Sequence, residues 1–288
     1  MKYTVPYQEN VRIAPFTSIR VGGNVRYLFR PESVDALCTL LAELSASDTP
    51  YMVIGNASNL LFSDEGYDGA VVATTGIREL FLQSGKITAS CGVSLSSLST
   101  FAMEQGKEGL AFAFGIPGTV GGGVYMNAGA YGGEIADCFE CAVCADKHGN
   151  RVTLSKEELQ FSYRHSALMQ NGLYLLYAVF DCKDGDKAEI KAAMDKNMAA
   201  RKAKQPLEYP SCGSAFKRPT GYFAGALIEQ AGLKGFSIGG AQVSEKHAGF
   251  VINTGDATAN DVKALLAHVQ KTVYEKDGVT LEPEIRIL

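Results

Sequence analysis

Features typical of a membrane or nucleic-acid partner are absent from the sequence. No apolar run approaches the roughly 18 residues of a membrane-spanning helix, and the opening segment MKYTVPYQEN is too polar for a signal peptide. The net charge is −4 and no block of lysines or arginines occurs. This balance argues against nucleic acid or an anionic membrane surface as the main partner. We therefore expect a cytoplasmic protein.

The cysteines do not suggest a disulfide framework, because seven is an odd number and a chain of 288 residues does not need one. Cys138, Cys141 and Cys144 form C-x-x-C-x-x-C, which resembles part of an iron–sulfur ligand run, but the usual fourth cysteine followed by proline is missing. The stretch CFECAVCADKHGNRVTL is also typical of a β-hairpin with a turn at K-H-G-N. Buried cysteines on a hairpin are the favoured interpretation, and no metal is expected.

Several common cofactor and catalytic motifs are also missing. The two glycine-bearing loops match neither G-x-G-x-x-G nor G-x-x-x-x-G-K-[ST], which disfavours a Rossmann cofactor site and a P-loop. The four histidines lack the spacing of a zinc site. No G-x-S-x-G elbow is present, so a hydrolase of that type is disfavoured as well.

Helix and strand patterns alternate along the chain, and the length predicts two or three compact units. Apolar periodicity and glycine or proline stops predict helices within residues 31–47, 95–106, 184–206, 221–232 and 258–278. Strands are predicted within residues 51–55, 69–75, 87–93, 174–183 and 279–288. The composition changes beyond the helix that Pro206 ends, which places a domain boundary near residues 185–205.

Two glycine-bearing stretches are the most informative local feature. VIGNASNLLFSD follows a predicted strand, and GIPGTVGGGVYMNAGAYG, residues 115–132, has seven glycines among eighteen residues. Backbone N–H groups without neighbouring Cβ atoms can approach a phosphate closely, so two such stretches suggest a bound diphosphate or dinucleotide. Either stretch alone is better explained as a tight turn at a sheet edge.

Three further segments carry residues able to do chemistry. FSYRHS contains Arg164, CGSAFKRP contains Ser214 shortly before Lys217, and LEPEIRIL places Glu284 two residues before Arg286, on one face of a strand. From pattern alone an arginine cap, a serine in a turn and a surface ion pair are the better explanations.

Taken together and in order, these motifs resemble those of UDP-N-acetylenolpyruvoylglucosamine reductases. The shared segments are GNASNLLF, GIPGTVGGGVYMNAGAYG, YRHS, GSAFKRP, AGLKGFSIGGAQVSEKHAGFVIN and LEPEIRIL, and they extend over nearly the whole chain. The resemblance implies an enzyme that reduces UDP-N-acetylglucosamine enolpyruvate to UDP-N-acetylmuramate for bacterial peptidoglycan. It also implies non-covalent FAD as cofactor and NADPH as hydride donor.

The resemblance further implies an α+β fold of the vanillyl-alcohol-oxidase/PCMH type with a C-terminal α/β substrate domain. Its domains would be an FAD-binding region over residues 1–185 in two subdomains, a linker helix over 186–205 and a substrate-binding domain over 206–288. The positions that match the family's FAD-binding loops are Ile54, Gly55, Asn56, Ala57, Ser58, Asn59, Leu60, Gly115, Ile116, Pro117, Gly118, Thr119, Gly121, Gly122, Asn127, Ala128 and Gly129.

Catalytic roles are implied for three residues. By resemblance, Arg164 stabilises the negative charge that develops on the substrate, Ser214 donates a proton to carbon, and Glu284 assists if it is protonated. Substrate-binding roles are implied for Tyr163, Lys217 and Arg286.

The sequence departs from the family pattern at three positions. Arg218 stands where some relatives have asparagine, and Asn56 and Ala57 replace glycines that are common in the first loop. Only ALMQNG separates YRHS from the next strand, which fits the shorter-loop subclass. A related flavin-dependent alcohol oxidase and a non-catalytic flavin-binding module remain alternative interpretations.

Overall fold

The computed structural model describes residues 2–288 and divides the chain into two compact units. Unit 1 contains the chain up to Glu9 together with Tyr27–Asn56 and Gly69–Ala200. Unit 2 contains Asn10–Arg26, Ala57–Asp68 and Arg201–Leu288. Each unit is therefore assembled from three stretches that are distant in sequence.

Seven α-helices occur among the described residues. They are α1 Val34–Ala46, α2 Leu95–Glu104, α3 Val120–Tyr125, α4 Ile135–Cys138, α5 Lys187–Lys204, α6 Ala224–Gln230 and α7 Ala259–Asp277. The five helices predicted from the sequence are confirmed as α1, α2, α5, α6 and α7. Local capping explains where α7 begins and ends, because Thr258 and Asp261 form a capping box at its start and Gly278, with a φ of 67°, ends it.

The strands are short, and most belong to sheets of four or five. They are β1 Tyr7–Arg12, β2 Asn24–Phe29, β3 Tyr51–Ile54, β4 Leu60–Leu61, β5 Tyr67–Ala73, β6 Leu80–Gln83, β7 Lys86–Ser90, β8 Gly129–Ala130, β9 Gly133–Glu134, β10 Phe139–Ala145, β11 Arg151–Ser155, β12 Tyr174–Phe180, β13 Ser211–Ser214, β14 Ser237–Ile238, β15 Ala241–Val243, β16 Phe250–Asn253 and β17 Arg286–Ile287.

The predicted C-terminal strand over 279–288 is wrong in extent. Only Arg286–Ile287 forms a strand, which pairs in parallel with Leu60–Leu61. Pro283 has no N–H to give to a sheet, so a regular strand cannot continue through it. Glu284 consequently lies before the strand, and the prediction that it shares a strand face with Arg286 is also wrong.

Unit 1 is built around an antiparallel sheet with the strand order β11-β10-β12-β7-β6. The hairpin predicted for the cysteine-rich segment is confirmed, since β10 pairs with β11 from Cys141 opposite Ser155 to Ala145 opposite Arg151. A second sheet has the order β1-β2-β5-β3, in which β3 and β5 run parallel. Helix α1 buries Val34, Leu37, Leu40, Leu41 and Leu44 in the apolar core of this unit.

The three closely spaced cysteines contribute mainly to that core. Cys138 ends α4, Cys144 lies on β10, and both are buried, whereas Cys141 is half-buried. Burial raises the pKa of the Cys144 thiol to about 12, which disfavours the thiolate needed for metal binding. Within residues 2–288, no group of three or more His, Cys, Asp and Glu side chains is arranged to hold a metal ion.

Unit 2 has its own core and its own antiparallel sheet, with the order β13-β16-β15-β14. The apolar stripe predicted for α7 is buried there, from Val262 to Val273. Asp64 accepts hydrogen bonds from the Ala259 N–H at 2.7 Å and the Asn260 N–H at 2.9 Å, at the first turn of α7. Over the described chain, each helix is either too short or too polar to cross a membrane.

Candidate functional site

The first glycine-bearing loop begins where β3 ends, at the buried Ile54. A Cβ on Gly55 would overlap the Thr119 Oγ1, so glycine is required there by packing inside unit 1. The Asn56 Nδ2 donates a hydrogen bond of 2.7 Å to the Pro117 carbonyl. The asparagine that replaces a glycine in this loop therefore ties it to the second glycine stretch.

The same loop presents successive backbone N–H groups. Across residues 2–288, no hydrogen bond inside the protein uses the amides of residues 56–59. Ala57 has a φ of 45°, the left-handed conformation found in the anion-binding turns formed by consecutive N–H groups. The donor set of this loop, which includes Ala57 and Ser58, fits the diphosphate of a nucleotide cofactor.

The second stretch forms a short helix rather than a continuous loop. Thr119 caps α3 by accepting from the Gly122 N–H, and the N–H groups of Val120 and Gly121 each donate over 2.8 Å to carbonyls of the segment after β7. Those two amides are therefore committed inside the protein. Gly115 precedes the helix with a φ of 82°, and its N–H donates to the Ser96 Oγ at 3.0 Å.

The three adjacent glycines of α3 differ in how much space the protein leaves for a side chain. A Cβ on Gly121 would lie 3.0 Å from the Cys91 carbonyl oxygen, and one on Gly123 would lie 3.0 Å from Leu95. Gly122 is exposed, and the nearest atom to a Cβ there would be the Thr119 Oγ1 at 3.8 Å. The protein's own packing does not require glycine at Gly122, and the open space beside it would leave room for part of a cofactor.

Asn127 has a structural task that the sequence did not reveal. Its side chain is fully buried and its φ is 42°. The Nδ2 donates to the Ser162 carbonyl at 3.1 Å, and the Oδ1 accepts from the Ala136 N–H at 3.0 Å. This side chain, expected to bind the cofactor, is committed to anchoring two neighbouring segments.

The turn that carries Arg164 is tied to the glycine stretch at two further points. The Arg164 guanidinium donates to the Gly129 carbonyl at 3.1 Å, and the Ser166 Oγ donates to the Tyr125 carbonyl at 2.8 Å. Arg164 has a φ of 56°, and its guanidinium carbon lies 5.0 Å from the centre of the Tyr163 ring. Unit 1 thus brings together Arg164, Tyr163 and the segment that ends in Ala128 and Gly129.

Ser214 and Glu284 are brought together within unit 2. Ser214 ends β13 opposite Phe250, follows Gly213 with its φ of 74°, and is exposed. The next residue links the two candidates, because the Ala215 carbonyl accepts from the Glu284 N–H at 2.9 Å. Glu284 is half-buried.

Asn59 holds the C-terminal segment in place. Its Nδ2 donates to the Glu284 carbonyl at 2.9 Å, and its own carbonyl accepts from the Arg286 N–H at 3.1 Å. Leu60 then pairs with Arg286 across the two-stranded sheet. Two residues predicted to bind the cofactor, Asn59 and Leu60, therefore also position the segment that carries Glu284.

The cations after Ser214 have partners within the protein. Lys217 forms an ion pair with the exposed Glu282, and its N–H donates to the Glu282 carbonyl at 2.9 Å. The guanidinium of Arg218 lies 4.0 Å from the centre of the Phe223 ring, a cation–π geometry that asparagine could not make.

A surface cavity of about 530 Å³ lies elsewhere in unit 1. Its lining includes Tyr7, Leu28, Arg30 and Ser33 and none of the residues predicted for the site. The cavity is therefore not part of the arrangement described above.

Comparison with known proteins places this arrangement in a family. A model described as an FAD binding domain matches residues 25–155, and one described as UDP-N-acetylenolpyruvoylglucosamine reductase, C-terminal domain, matches residues 205–288. A protein named UDP-N-acetylenolpyruvoylglucosamine reductase from Lactobacillus delbrueckii subsp. bulgaricus is 48% identical over 281 residues, covering 98% of this chain and 95% of that protein. The chain belongs to the UDP-N-acetylenolpyruvoylglucosamine reductase family.

Solved structures agree with this membership. The crystal structure of UDP-N-acetylenolpyruvylglucosamine reductase from Thermus caldophilus matches with a TM-score of 0.85 and 34% identity, covering 98% of this chain and 99% of that one. A glucooligosaccharide oxidase from Acremonium strictum, 13% identical with a TM-score of 0.50, covers 97% of this chain and 57% of that one and shares the fold alone. The predicted family, the α+β flavin-binding fold and FAD as cofactor are confirmed, and the protein is an FAD-dependent oxidoreductase.

Proposed function

We propose that this protein reduces the enolpyruvyl group of UDP-N-acetylglucosamine enolpyruvate, with NADPH as hydride donor, to give UDP-N-acetylmuramate for peptidoglycan. Support comes from the family membership and from one observation in unit 2. The residue after Ser214 accepts a hydrogen bond from the backbone of Glu284, so a proton donor and a carboxyl group are held on adjoining backbone. When bound, FAD supplies the redox chemistry by taking hydride from NADPH and passing it to the substrate double bond.

Arg164 is assigned the stabilisation of the anion. Hydride addition to the terminal carbon of the enolpyruvyl group leaves negative charge on the adjacent carbon and its carboxylate. A guanidinium remains charged at any working pH, and its hydrogen bond to the Gly129 carbonyl restricts its position before substrate arrives. The left-handed backbone of Arg164 is a strained conformation of the kind that concentrates at functional sites.

Ser214 is assigned the proton transfer to carbon. A hydroxyl is a weak acid, but a carbanion-like centre is basic enough to take its proton. The side chain is exposed at the end of β13, so a substrate can reach the Oγ directly. Glu284 helps only in its protonated form, because an ionised carboxylate would oppose the developing charge.

The remaining roles concern binding. We assign Tyr163, Lys217 and Arg286 to the substrate, and the loops over 54–60 and 115–129 to FAD. The unpartnered amides of residues 56–59 and the open space at Gly122 support the assignment to FAD. For Lys217, binding a substrate phosphate requires exchange of its ion pair with Glu282.

The division of labour along the chain is part of the same proposal. Residues 1–185 hold FAD, 186–205 form a linker helix, and 206–288 present Ser214 and Glu284 to the substrate. The two family models, which match 25–155 and 205–288, support this division. A cytoplasmic location is supported by the seven cysteines, all of them unpaired thiols, as in proteins of reducing compartments.

Stopped-flow absorbance of the two half-reactions tests the role of Ser214. Ser214→Ala should leave flavin reduction by NADPH nearly intact, because that step protonates no substrate carbon. Oxidation of the reduced flavin by the enolpyruvyl substrate should slow by about 10²–10⁴-fold. Ser214→Cys should recover part of the rate, since a thiol is more acidic.

Ser211→Ala is the matched control, because Ser211 lies on the same strand, three residues away. It should leave both half-reactions unchanged. Equal slowing of both half-reactions in Ser214→Ala would indicate a displaced cofactor, and an unchanged second half-reaction would remove Ser214 from the mechanism.

A further inference from the structure

His247 closes the turn between β15 and β16. Its Nδ1 accepts a hydrogen bond of 3.1 Å from the Gly249 N–H, two residues along the chain. The turn is also fixed by the Phe250 N–H, which donates to the His247 carbonyl at 2.9 Å, and by Ser244, whose Oγ accepts from the His247 N–H at 3.3 Å. The imidazole is therefore the acceptor for the N–H of the peptide between Ala248 and Gly249.

The other side of Gly249 is bonded to the proposed catalytic segments. The Gly249 carbonyl accepts from the Ala215 N–H at 2.7 Å, and the Ala215 carbonyl accepts from the Glu284 N–H at 2.9 Å. Three consecutive hydrogen bonds thus connect the imidazole to the backbone of Glu284, and the second of them fixes the residue after Ser214.

Side-chain packing brings the same groups close together. A Cβ built on Gly249 would lie 3.0 Å from the His247 Cε1 and 3.5 Å from the Ser214 Oγ. The imidazole edge and the Ser214 hydroxyl therefore both border the space beside the Gly249 Cα. A side chain at this position would crowd the imidazole, so glycine is the residue that fits.

We propose that His247 is a positioning residue, which orients Ser214 and Glu284 for protonation of the substrate through the hydrogen-bonded backbone of Gly249 and Ala215. This inference rests on the proposed function, because it assigns His247 a task only if Ser214 and Glu284 act on the substrate. His247 itself transfers no proton to the substrate.

The protonation state of the His247 ring decides whether it can accept the hydrogen bond from the Gly249 N–H. An Nδ1 that accepts a hydrogen bond belongs to a neutral imidazole with its proton on Nε2. Burial is the largest influence and lowers the pKa of His247; a backbone hydrogen bond and Glu229 raise it, Lys234 and Lys204 lower it, and the net shift is downward. The accepting form therefore prevails at neutral pH. Protonation in acid would place an N–H of His247 against the Gly249 N–H and release the turn.

Two substitutions of His247 distinguish the effect of losing its hydrogen-bond acceptor from the effect of losing its ring. His247→Phe keeps a ring of similar size but has no acceptor. His247→Asn loses the ring, yet its Oδ1 can accept from the N–H two residues on, as in an Asx-turn, and does not titrate. His268→Phe is the matched control, because it removes a histidine outside this network. His268 lies on α7, where its ring is stacked on Phe236.

The readout is the oxidation of reduced flavin by the enolpyruvyl substrate, followed by stopped flow from pH 5 to 8. His247→Phe should be slower by about 10²-fold, the cost of a misplaced catalytic group. His247→Asn should stay close to the unmodified rate and lose the decline expected of the unmodified protein as the pH falls through the lowered pKa of His247. His268→Phe should match the unmodified protein, and flavin reduction by NADPH should be unchanged in all variants.

A double variant separates this inference from the proposed function. If His247 acts through Ser214, His247→Phe slows Ser214→Ala by much less than the roughly 10²-fold by which it slows the unmodified protein, and any remaining effect comes from Glu284. A fast Ser214→Ala would refute the proposed function. A slow Ser214→Ala beside an undiminished His247→Phe would overturn the role of His247 alone. That role is also overturned if His247→Asn retains the acid decline, a result that can be read even if His247→Phe fails to fold.

Discussion

Replacing Asn127 with alanine should destabilise the turn that carries Arg164. The substitution removes the bond to Ser162 and leaves the buried N–H of Ala136 without its acceptor. It also places alanine at a φ of 42°, a conformation that asparagine tolerates better.

The loss of stability is the sum of two contributions, the unsatisfied N–H of Ala136 and the left-handed alanine. An unsatisfied buried donor costs about 1–3 kcal/mol, and a left-handed alanine costs roughly 1–2 kcal/mol. We count nothing for the Ser162 carbonyl, because Ser162 is exposed and water can replace the lost donor. The total of about 2–5 kcal/mol is a large part of the roughly 5–15 kcal/mol that stabilises a typical protein.

Asn10→Ala is the matched control for backbone strain. Asn10 has a φ of 51° but is exposed, and its side chain accepts only one exposed hydrogen bond, from Asn24. Asn10→Ala should therefore show the loss of stability caused by a left-handed alanine, without the loss caused by an unsatisfied buried donor. Asn127→Gly complements it, because glycine removes the backbone strain and leaves the hydrogen-bond loss.

Thermal unfolding followed by circular dichroism measures the effect as a shift of the unfolding midpoint. We use the midpoint rather than a free energy of unfolding, because a chain with two compact units need not unfold in a single two-state step. Asn127→Ala should lower the midpoint by roughly twice as much as Asn10→Ala. It should also slow oxidation of the reduced flavin by substrate, whereas Asn10→Ala should not. If the two variants lose the same amount of stability, the buried bonds of Asn127 do not stabilise the turn as argued.

Three further outcomes are expected. Gly122→Val should purify without flavin absorbance yet unfold near the midpoint of the flavin-free parent, whereas Gly121→Val should unfold earlier, because only at Gly121 does a Cβ crowd the protein's backbone. Backbone hydrogen bonds hold the pKa of Asp261 below its ordinary value, so its stabilisation is present at neutral pH and lost as the pH falls through the folded pKa. Asp261→Ala should thus lower the unfolding midpoint at pH 7 and by less at pH 3. Glu282→Gln should lower KM for the UDP-sugar at low salt, because Lys217 no longer exchanges one anion for another; an unchanged KM would contradict a phosphate contact by Lys217.

The elements that sequence patterns predicted are those with strong local signals. Helix α7 has a capping box, a continuous apolar stripe and a terminal glycine, and each of these acts within a few residues. Helix α3 has none of the usual propensity, since three of its six residues are glycine. It forms because Thr119 caps it and because Gly121 packs against the chain after β7, a contact that local patterns do not encode.

The same distinction applies to the site. Arg164, Ser214 and Glu284 stand in motifs that can be matched one residue at a time. Their supports cannot be found in this way, because Asn127 bonds a residue 35 positions away and Asn59 bonds one 225 positions away. Asn59 was predicted from its motif to bind the cofactor, while its hydrogen bonds show a second task that depends on the folded chain.

The two groups of catalytic candidates are held by different physical means, and the difference matches the chemistry proposed for each. Arg164 carries a permanent charge on a long side chain, so its position must be restricted by bonds to the guanidinium itself and to the turn beneath it. Ser214 has a short side chain with one rotatable bond before its oxygen, so fixing the backbone leaves the hydroxyl only three staggered positions. Backbone bonds through Ala215 and Gly249 achieve this without placing another charge beside the proton donor. A neutral support is the appropriate one, because a cation there would favour the ionised form of Glu284, and that form opposes the negative charge that Ser214 must quench.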